Sequence, residues 1–286
     1  MSSYMQRSFS NLFNSKISFE SALLVTSAHS GIYYPNFFLD NLCSDLKLCR
    51  SMEDMYVNDL LEGIQDKSIT FLRSHISRSV IDLNRKHSEI DLSTINGDFP
   101  LETKLSPRVK AGIGLFPNKS IEGDIVFKRK FTAEEILFLI QNYYFPWHSN
   151  LKTMIKKIWN TMGKVILIDM HSMPDSENLP DFIIGNRYGK TCDKDIFDYL
   201  TSNLEKMGYS VGKNDPYAGG FITKNYYDSK KNIQTLQIEI NRKLYMNEKT
   251  FSKKSGFKDL KSDIFLLLKD FSELLKPIEY KRTINE

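Results

Sequence analysis

The stretch LKTMIKKIWNTMGKVILIDMHS, residues 151–172, decides the fold class. Its first half places Leu151, Met154, Ile155, Ile158, Trp159 and Met162 at i, i+3, i+4, i+7, i+8 and i+11, one apolar face of a helix. Gly163 stops that helix, because glycine adopts the left-handed conformation that closes a last turn. Just beyond it, Val165-Ile166-Leu167-Ile168 is a continuous apolar run. It offers no polar side to water, so it reads as a strand covered on both faces. A helix feeding such a strand is the repeating unit of an α/β sheet. The strand runs out into Asp169-Met170-His171-Ser172.

The same alternation continues in both directions. Upstream, Thr132 and Glu135 have capping-box spacing ahead of Ile136, Leu137, Phe138 and Ile140, and Pro146 interrupts the helical pattern beside Trp147-His148. Ala22-Leu23-Leu24-Val25-Thr26 is the first strand and leads into Ser27-Ala28-His29-Ser30-Gly31. A helix is predicted over 52–64 and a strand over 69–72. Downstream, a helix over 193–207 stops at Gly208, Leu236 to Ile240 alternates as a strand, and Leu260, Ile264, Leu267, Leu268, Phe271 and Leu275 mark a last amphipathic helix. No internal repeat or low-complexity linker divides the 286 residues, a length that one α/β domain can fill. The expectation is a poorly ordered segment over 1–20 and a single catalytic domain over 21–280.

Composition removes several function classes. The net charge is only +4, and no basic run is interleaved with aromatics, so nucleic acid is not an expected partner. Lys152, Lys156 and Lys157 read as a solvated helix face. No apolar stretch has the length of a bilayer span, and residues 1–21 lack an apolar core with a cleavage pattern. No membrane partner and a cytoplasmic location are therefore expected. Cys43, Cys49 and Cys192 form no CxxC pair and read as buried free thiols.

The chemistry is expected at strand ends, where sites in open α/β sheets lie. Of five histidines, His29 and His171 occupy such ends. Imidazole is a common zinc ligand, and catalytic zinc takes three protein ligands and a water. The third ligand should be acidic, with Asp54 the candidate and Glu53 the reserve. Ser51 and Asp54 are also three apart ahead of an apolar helix, so capping fits Asp54 equally well. Asp169 lies on the same side of an extended chain as His171 and could orient it from behind. Around Arg78, the segment Ser77 to Arg85 carries two arginines and Asn84, suited to clamping an anion. An ordinary surface strand with ion pairs fits the same residues. Glu239 interrupts the apolar Leu236, Ile238 and Ile240, a costly place for a carboxylate unless it is partnered or opens on a cleft. That makes it the candidate general base, an edge-strand glutamate facing solvent and paired with Arg242 being the alternative. Asp215-Pro216-Tyr217-Ala218-Gly219-Gly220 could let backbone approach a ligand closely.

Taken in order, these segments resemble the N-formylglutamate amidohydrolase family. The matching pieces are Ala28-His29-Ser30-Gly31 with Pro35, Glu53 to Val57 with Leu60, Ser77-Arg78 to Asp82-Leu83-Asn84-Arg85, and Pro146-Trp147-His148. They continue with Asp169-Met170-His171-Ser172, Gly185-Asn186-Arg187 with Gly189, Asn214 to Gly220, and Leu236 to Ile240 with Tyr245-Met246. The resemblance implies a three-layer α/β/α domain with a mixed central sheet, zinc-carboxypeptidase-like (phosphorylase/hydrolase-like). It implies a zinc ion on His29, Asp54 and His171, and Glu239 as base with Arg78 on the oxyanion. Asn84, Arg85, His148, Arg187, Gly219 and Gly220 would then contact substrate, His148 also being a reserve ligand. The implied reaction is hydrolysis of an N-acylated acidic amino acid, foremost N-formyl-L-glutamate to formate and glutamate, a step of histidine degradation. The same mechanism on another N-acyl amino acid or a short peptide, or a non-catalytic carboxylate-binding protein, are the alternatives. Two departures stand out. Carboxypeptidase-like relatives carry His-x-x-Glu where this chain has Ile32 three after His29, and Trp147 stands where Pro-Tyr-His is expected.

Overall fold

The apolar run at 165–168 is fully buried in the computed structural model, which describes residues 13–16, 18–43, 45–64, 69–120 and 123–277. The chain begins its sheet with β1 (Phe13–Lys16), β2 (Leu23–Ser27) and β3 (Thr70–Ser74). Between β2 and β3 lie the short helices α1 (Asn36–Asp40), α2 (Lys47–Met52) and α3 (Val57–Leu60). An excursion follows, with the parallel pair β4 (Ile95–Asn96) and β5 (Phe131–Thr132) and the single-turn helix α4 (Pro107–Lys110). Helix α5 (Ala133–Leu139) opens on the expected Thr132/Glu135 capping box and passes through a π-helical turn, Ile140–Tyr144, into α6 (Phe145–Met162). Then come β6 (Val165–Met173), β7 (Phe182–Gly185), α7 (Lys194–Lys206), β8 (Val211–Lys213), α8 (Phe221–Asn225) and β9 (Ile233–Asn241). The hairpin of β10 (Met246–Asn247) and β11 (Ser252–Lys253) leads to α9 (Phe257–Leu274).

The seven-stranded sheet runs β1-β3-β2-β6-β9-β7-β8. Strands β3, β2, β6 and β9 are mutually parallel, while β1 and β7 run antiparallel to their neighbours β3 and β9. The sheet is therefore mixed. Helix α6 packs on β3 and β6, and α8 on β6 and β9. Helix α3 packs on β6 and on α9, which also meets α7. Helices thus cover the sheet as a three-layer α/β/α arrangement. Every residue of β2, β6 and β9 is buried, which fits the apolar runs that open β2 and β6 and encloses the polar members of β9. Burying each Val, Leu or Ile side chain there contributes about 1.5–3 kcal/mol.

Four local expectations change. Residues 13–16 form edge strand β1, paired with β3, so part of the stretch expected to be poorly ordered belongs to the sheet. Residues 1–12 and 278–280 lie outside the described residues. The helix expected over 52–64 is broken: α2 ends at Met52, Glu53 is extended (ψ 152°), and α3 starts at Val57 after Tyr56 at φ 65°. Ser51 donates to the Leu48 carbonyl and Asp54 caps nothing, so the capping reading of Asp54 falls. Pro146 does not interrupt its helix but sits in the first turn of α6, where a missing N–H costs little. Finally, β6 continues to Met173, so His171 lies on the strand and not after it.

Candidate active site

Parallel pairing sets the site. On β6 and β9, Asp169 lies beside Gln237 and His171 beside Glu239. Residues two apart on a strand share a face. Asp169 and His171 therefore project together, as do Gln237 and Glu239. His29 arrives from the loop after β2, the other neighbour of β6. The break at Glu53 brings in the fourth group. In extended chain, successive side chains point to opposite sides. Glu53 bonds the Tyr34 and Ser77 hydroxyls and pairs with Arg50, while Asp54 turns the other way onto both histidines. Asp54, not the reserve Glu53, is the carboxylate that meets them.

Both imidazoles are held from behind by a carboxylate. His29 Nε2 lies 2.7 Å from Asp82 Oδ1, and His171 Nε2 lies 2.7 Å from Asp169 Oδ2. Asp169 is itself fixed by a 2.7 Å bond from the Thr26 hydroxyl on β2. Each ring is left presenting Nδ1 to Asp54 Oδ2, at 3.5 Å for His29 and 2.8 Å for His171. The three groups are buried, and their donor atoms lie within 4.8 Å of one another. His29 Nδ1 and Asp54 Oδ1 are buried without a hydrogen-bond partner. Two imidazole nitrogens and a carboxylate, both rings backed by a further carboxylate and His29 Nδ1 left without a partner, fit a divalent metal.

The electrostatics agree. Burial alone would raise the Asp54 carboxyl, but the hydrogen bonds and charge of His171 and His29 hold it well below the usual carboxylate range. Burial opposes charging His171, yet Asp169 and Asp54 push its imidazole well above its ordinary value. The two carboxylates thus favour keeping a proton on the ring over its loss. A cation there would displace that proton, so metal binding should weaken as pH falls.

The group opens into a cleft of about 470 Å³. Glu239 lines it, buried, its Oε1 accepting a 3.2 Å bond from Gln237. Burial pushes the Glu239 carboxyl up to about 7, with His171 opposing and Asp54 adding. Arg78 lines the same wall, its Nε 3.1 Å from Asp82 and its NH1 3.7 Å from Asp54. Gly219 and Gly220 form the floor. A Cβ on Gly220 would sit 2.4 Å from the Asn84 amide, so only glycine lets that loop close on Asn84. Asn84 Oδ1 accepts from the Ile222 N–H at 2.7 Å, and its Nδ2 lies 3.4 Å from Asp169. Its amide is committed, so Asn84 lines the cleft as a brace between the two loops. Arg85 gives Nε to the Ile113 carbonyl, one NH1 hydrogen to the Asn84 carbonyl, and leans on Asp82 at 3.6 Å. One N–H on each terminal nitrogen remains for a ligand.

Two expected contacts lie elsewhere. His148, on α6, bonds the Tyr226 hydroxyl at 2.6 Å, packs against Tyr144, and does not line the cleft. Burial drives its imidazole down to about 3, so it is a neutral packing group, and it is not one of the three groups of the metal-type cluster. The helix continues through Pro146, and His148 is one of its buried residues. Arg187 also misses the cleft, but its NH1 donates to the Gly219 carbonyl at 3.1 Å and props the glycine loop from outside. Other cleft residues escaped the sequence reading as site groups. Asp82 joins His29 to Arg78 and Arg85, and its partners hold it well below the usual carboxylate range against burial. Arg242 donates to the Ser51 and Glu53 carbonyls and lies 3.6 Å from Asp54, fixing the broken segment. Arg108 and Lys119 come from the excursion before β5.

Fold and site together define a hydrolase built on a mixed α/β sheet, with a buried histidine pair and carboxylate able to hold a metal ion. The family model for N-formylglutamate amidohydrolase matches residues 21–246, and the chain belongs to that family. It is similar to the N-formylglutamate deformylase of Pseudomonas putida, 28% identical over 237 residues, 79% of this chain and 82% of that protein. The N-formylglutamate deformylase of Pseudomonas aeruginosa is 26% identical over 208 residues, covering 68% and 71% of the two chains. The crystal structure of N-formylglutamate amidohydrolase from Ralstonia eutropha JMP134 is similar with a TM-score of 0.86 and 30% identity, covering 92% of this chain and 98% of that one. Among the described residues, no helix is long and apolar enough to cross a membrane.

Proposed function

We propose that this protein hydrolyses the formamide of N-formyl-L-glutamate to formate and L-glutamate, using one zinc ion held by His29, Asp54 and His171. The observation that carries this is the carboxylate-backed His29–Asp54–His171 group opening into an arginine-lined cleft. The names of the relatives support the substrate. A zinc ion in that donor set would polarise the formyl oxygen and make a water nucleophilic near neutral pH.

The chain's own residues do the rest. Glu239, anchored through Oε1 by Gln237, takes the water's proton on Oε2 and returns it to the departing amide nitrogen. Burial keeps its pKa near the working pH, where a group serves both as base and then as acid. Arg78, which lines the cleft, stabilises negative charge growing on the formyl oxygen. Arg85 holds a carboxylate of the substrate through its two remaining N–H groups. Asp82 keeps both arginines and His29 in one register, so substrate and reacting groups are positioned by the same buried carboxylate. Location in the cytoplasm is part of this proposal, as is action on a free small molecule.

A panel of N-formyl, N-acetyl and N-succinyl derivatives of glutamate, aspartate and neutral amino acids, assayed on zinc-loaded protein, tests the assignment. N-formyl-L-glutamate is expected to have the highest kcat/KM. Faster turnover of another acyl group would move the substrate, and no turnover of any compound would remove the enzyme reading.

A further inference from the structure

The cleft holds more positive charge than its own carboxylates balance. Arg78, Arg85, Arg108, Lys119 and Arg242 line it against Asp54, Asp82 and Glu239. These cations are not equivalent. Arg78 and Arg242 are tied to Asp54, Asp82 and backbone carbonyls, and Arg85 is partly committed. Arg108 and Lys119 have no ion-pair partner among the described residues.

Their backbone, by contrast, is well fixed. The segment from Ser106 to Ser120 is pinned to the site wall by the Leu115 N–H to the Glu89 carbonyl, 2.7 Å, and the Asp82 N–H to the Leu115 carbonyl, 2.8 Å. Arg85 adds its 2.9 Å bond to the Ile113 carbonyl. Ser106 caps α4, which carries Arg108. The Lys119 stem lies across Gly112: a Cβ there would sit 2.7 Å from Lys119 Cγ. Only a residue without a side chain lets the lysine cross at that point. Two cations that line the cleft from a tethered segment, without an ion-pair partner among the described residues, form an anion subsite.

We propose that Arg108 and Lys119 bind the second carboxylate of the substrate, making the enzyme selective for dianionic N-acyl amino acids over monoanionic ones. This rests on reading the cleft as an N-acyl amino acid site, with Arg85 on the first carboxylate. A neutral amide at the second position would forgo the charge-assisted hydrogen bonds that a carboxylate accepts from both cations.

The test uses zinc-loaded protein, wild type and the variants Arg108→Gln and Lys119→Met, both at exposed positions. Turnover of N-formyl-L-glutamate is compared with N-formyl-L-glutamine, and calorimetry compares glutarate with its monoamide. Wild type should favour the dianion in both readouts. Each variant should lose about 10- to 100-fold of that preference while turnover of N-formyl-L-glutamine stays within a few-fold. Unchanged preference in both variants, with normal melting curves, overturns the proposal. If wild type turns over neither compound yet binds glutarate through these residues, the subsite stands and the reaction assigned above falls. If wild type shows no preference for the dianion in either readout, the subsite falls whatever the turnover.

Discussion

Replacing Glu239 by glutamine should reduce turnover by about 100- to 10,000-fold while zinc content and melting temperature stay close to wild type. The substitution keeps size and the bond with Gln237 but removes the carboxylate proposed to carry the proton. Glu239 is not one of the three groups gathered around the common point, so the metal should remain. The pH profile gives a second readout. The base must be ionised, and burial raises its pKa to about 7, so kcat/KM should fall as pH drops below that value. A bound cation favours the carboxylate and would shift this limb to lower pH. Steady-state rates with metal analysis on the same preparations decide the matter. A Gln variant within a few-fold of wild type would remove Glu239 from the chemistry.

Loss of either histidine should be as severe, by a different route. His29→Ala and His171→Ala each leave two of three ligand groups, and each strands a buried carboxylate, Asp82 or Asp169, without its imidazole. Zinc should fall far below one equivalent, and turnover should fall with it. Asp82 keeps Arg78 and Arg85, so the fold around His29 should tolerate its loss better. Asp169 keeps only Thr26 and Asn84 as neutral partners, so His171→Ala should also destabilise, by about 1–3 kcal/mol. Elemental analysis and thermal melts on both variants check this. Full zinc occupancy in both would show that the metal lies elsewhere.

Much of this was legible before any coordinates. The central strand, the capping box at Thr132 and the helix closed by Gly163 follow from periodicity and local chemistry, which tertiary packing here leaves intact. Histidines at strand ends, and a glutamate in an apolar strand, are conspicuous because each would be expensive in an ordinary core. The break between α2 and α3 was hidden. Met55, Leu60, Leu61 and Ile64 are buried as a helical face would be, so the pattern masks the extended Glu53 and the left-handed Tyr56 that break the helix. Asp82 was hidden for another reason. A carboxylate beside two arginines looks like a surface ion pair, and nothing local marks that it also reaches His29 from fifty-three residues away. Arg108 and Lys119 sit in an irregular excursion without periodicity, where only the tethers to Asp82, Arg85 and Glu89 bring them to the cleft. His148 was expected at the substrate through the family resemblance alone, whereas α6 continues through Pro146 and its imidazole bonds the Tyr226 hydroxyl.

The most direct test of the central claim is formate release from N-formyl-L-glutamate by one preparation in three states: as purified, stripped by a chelator, and reloaded with zinc. Release should follow the metal, disappearing on stripping and returning as zinc approaches one equivalent per chain. Undiminished formate release from protein shown to be metal-free would contradict it.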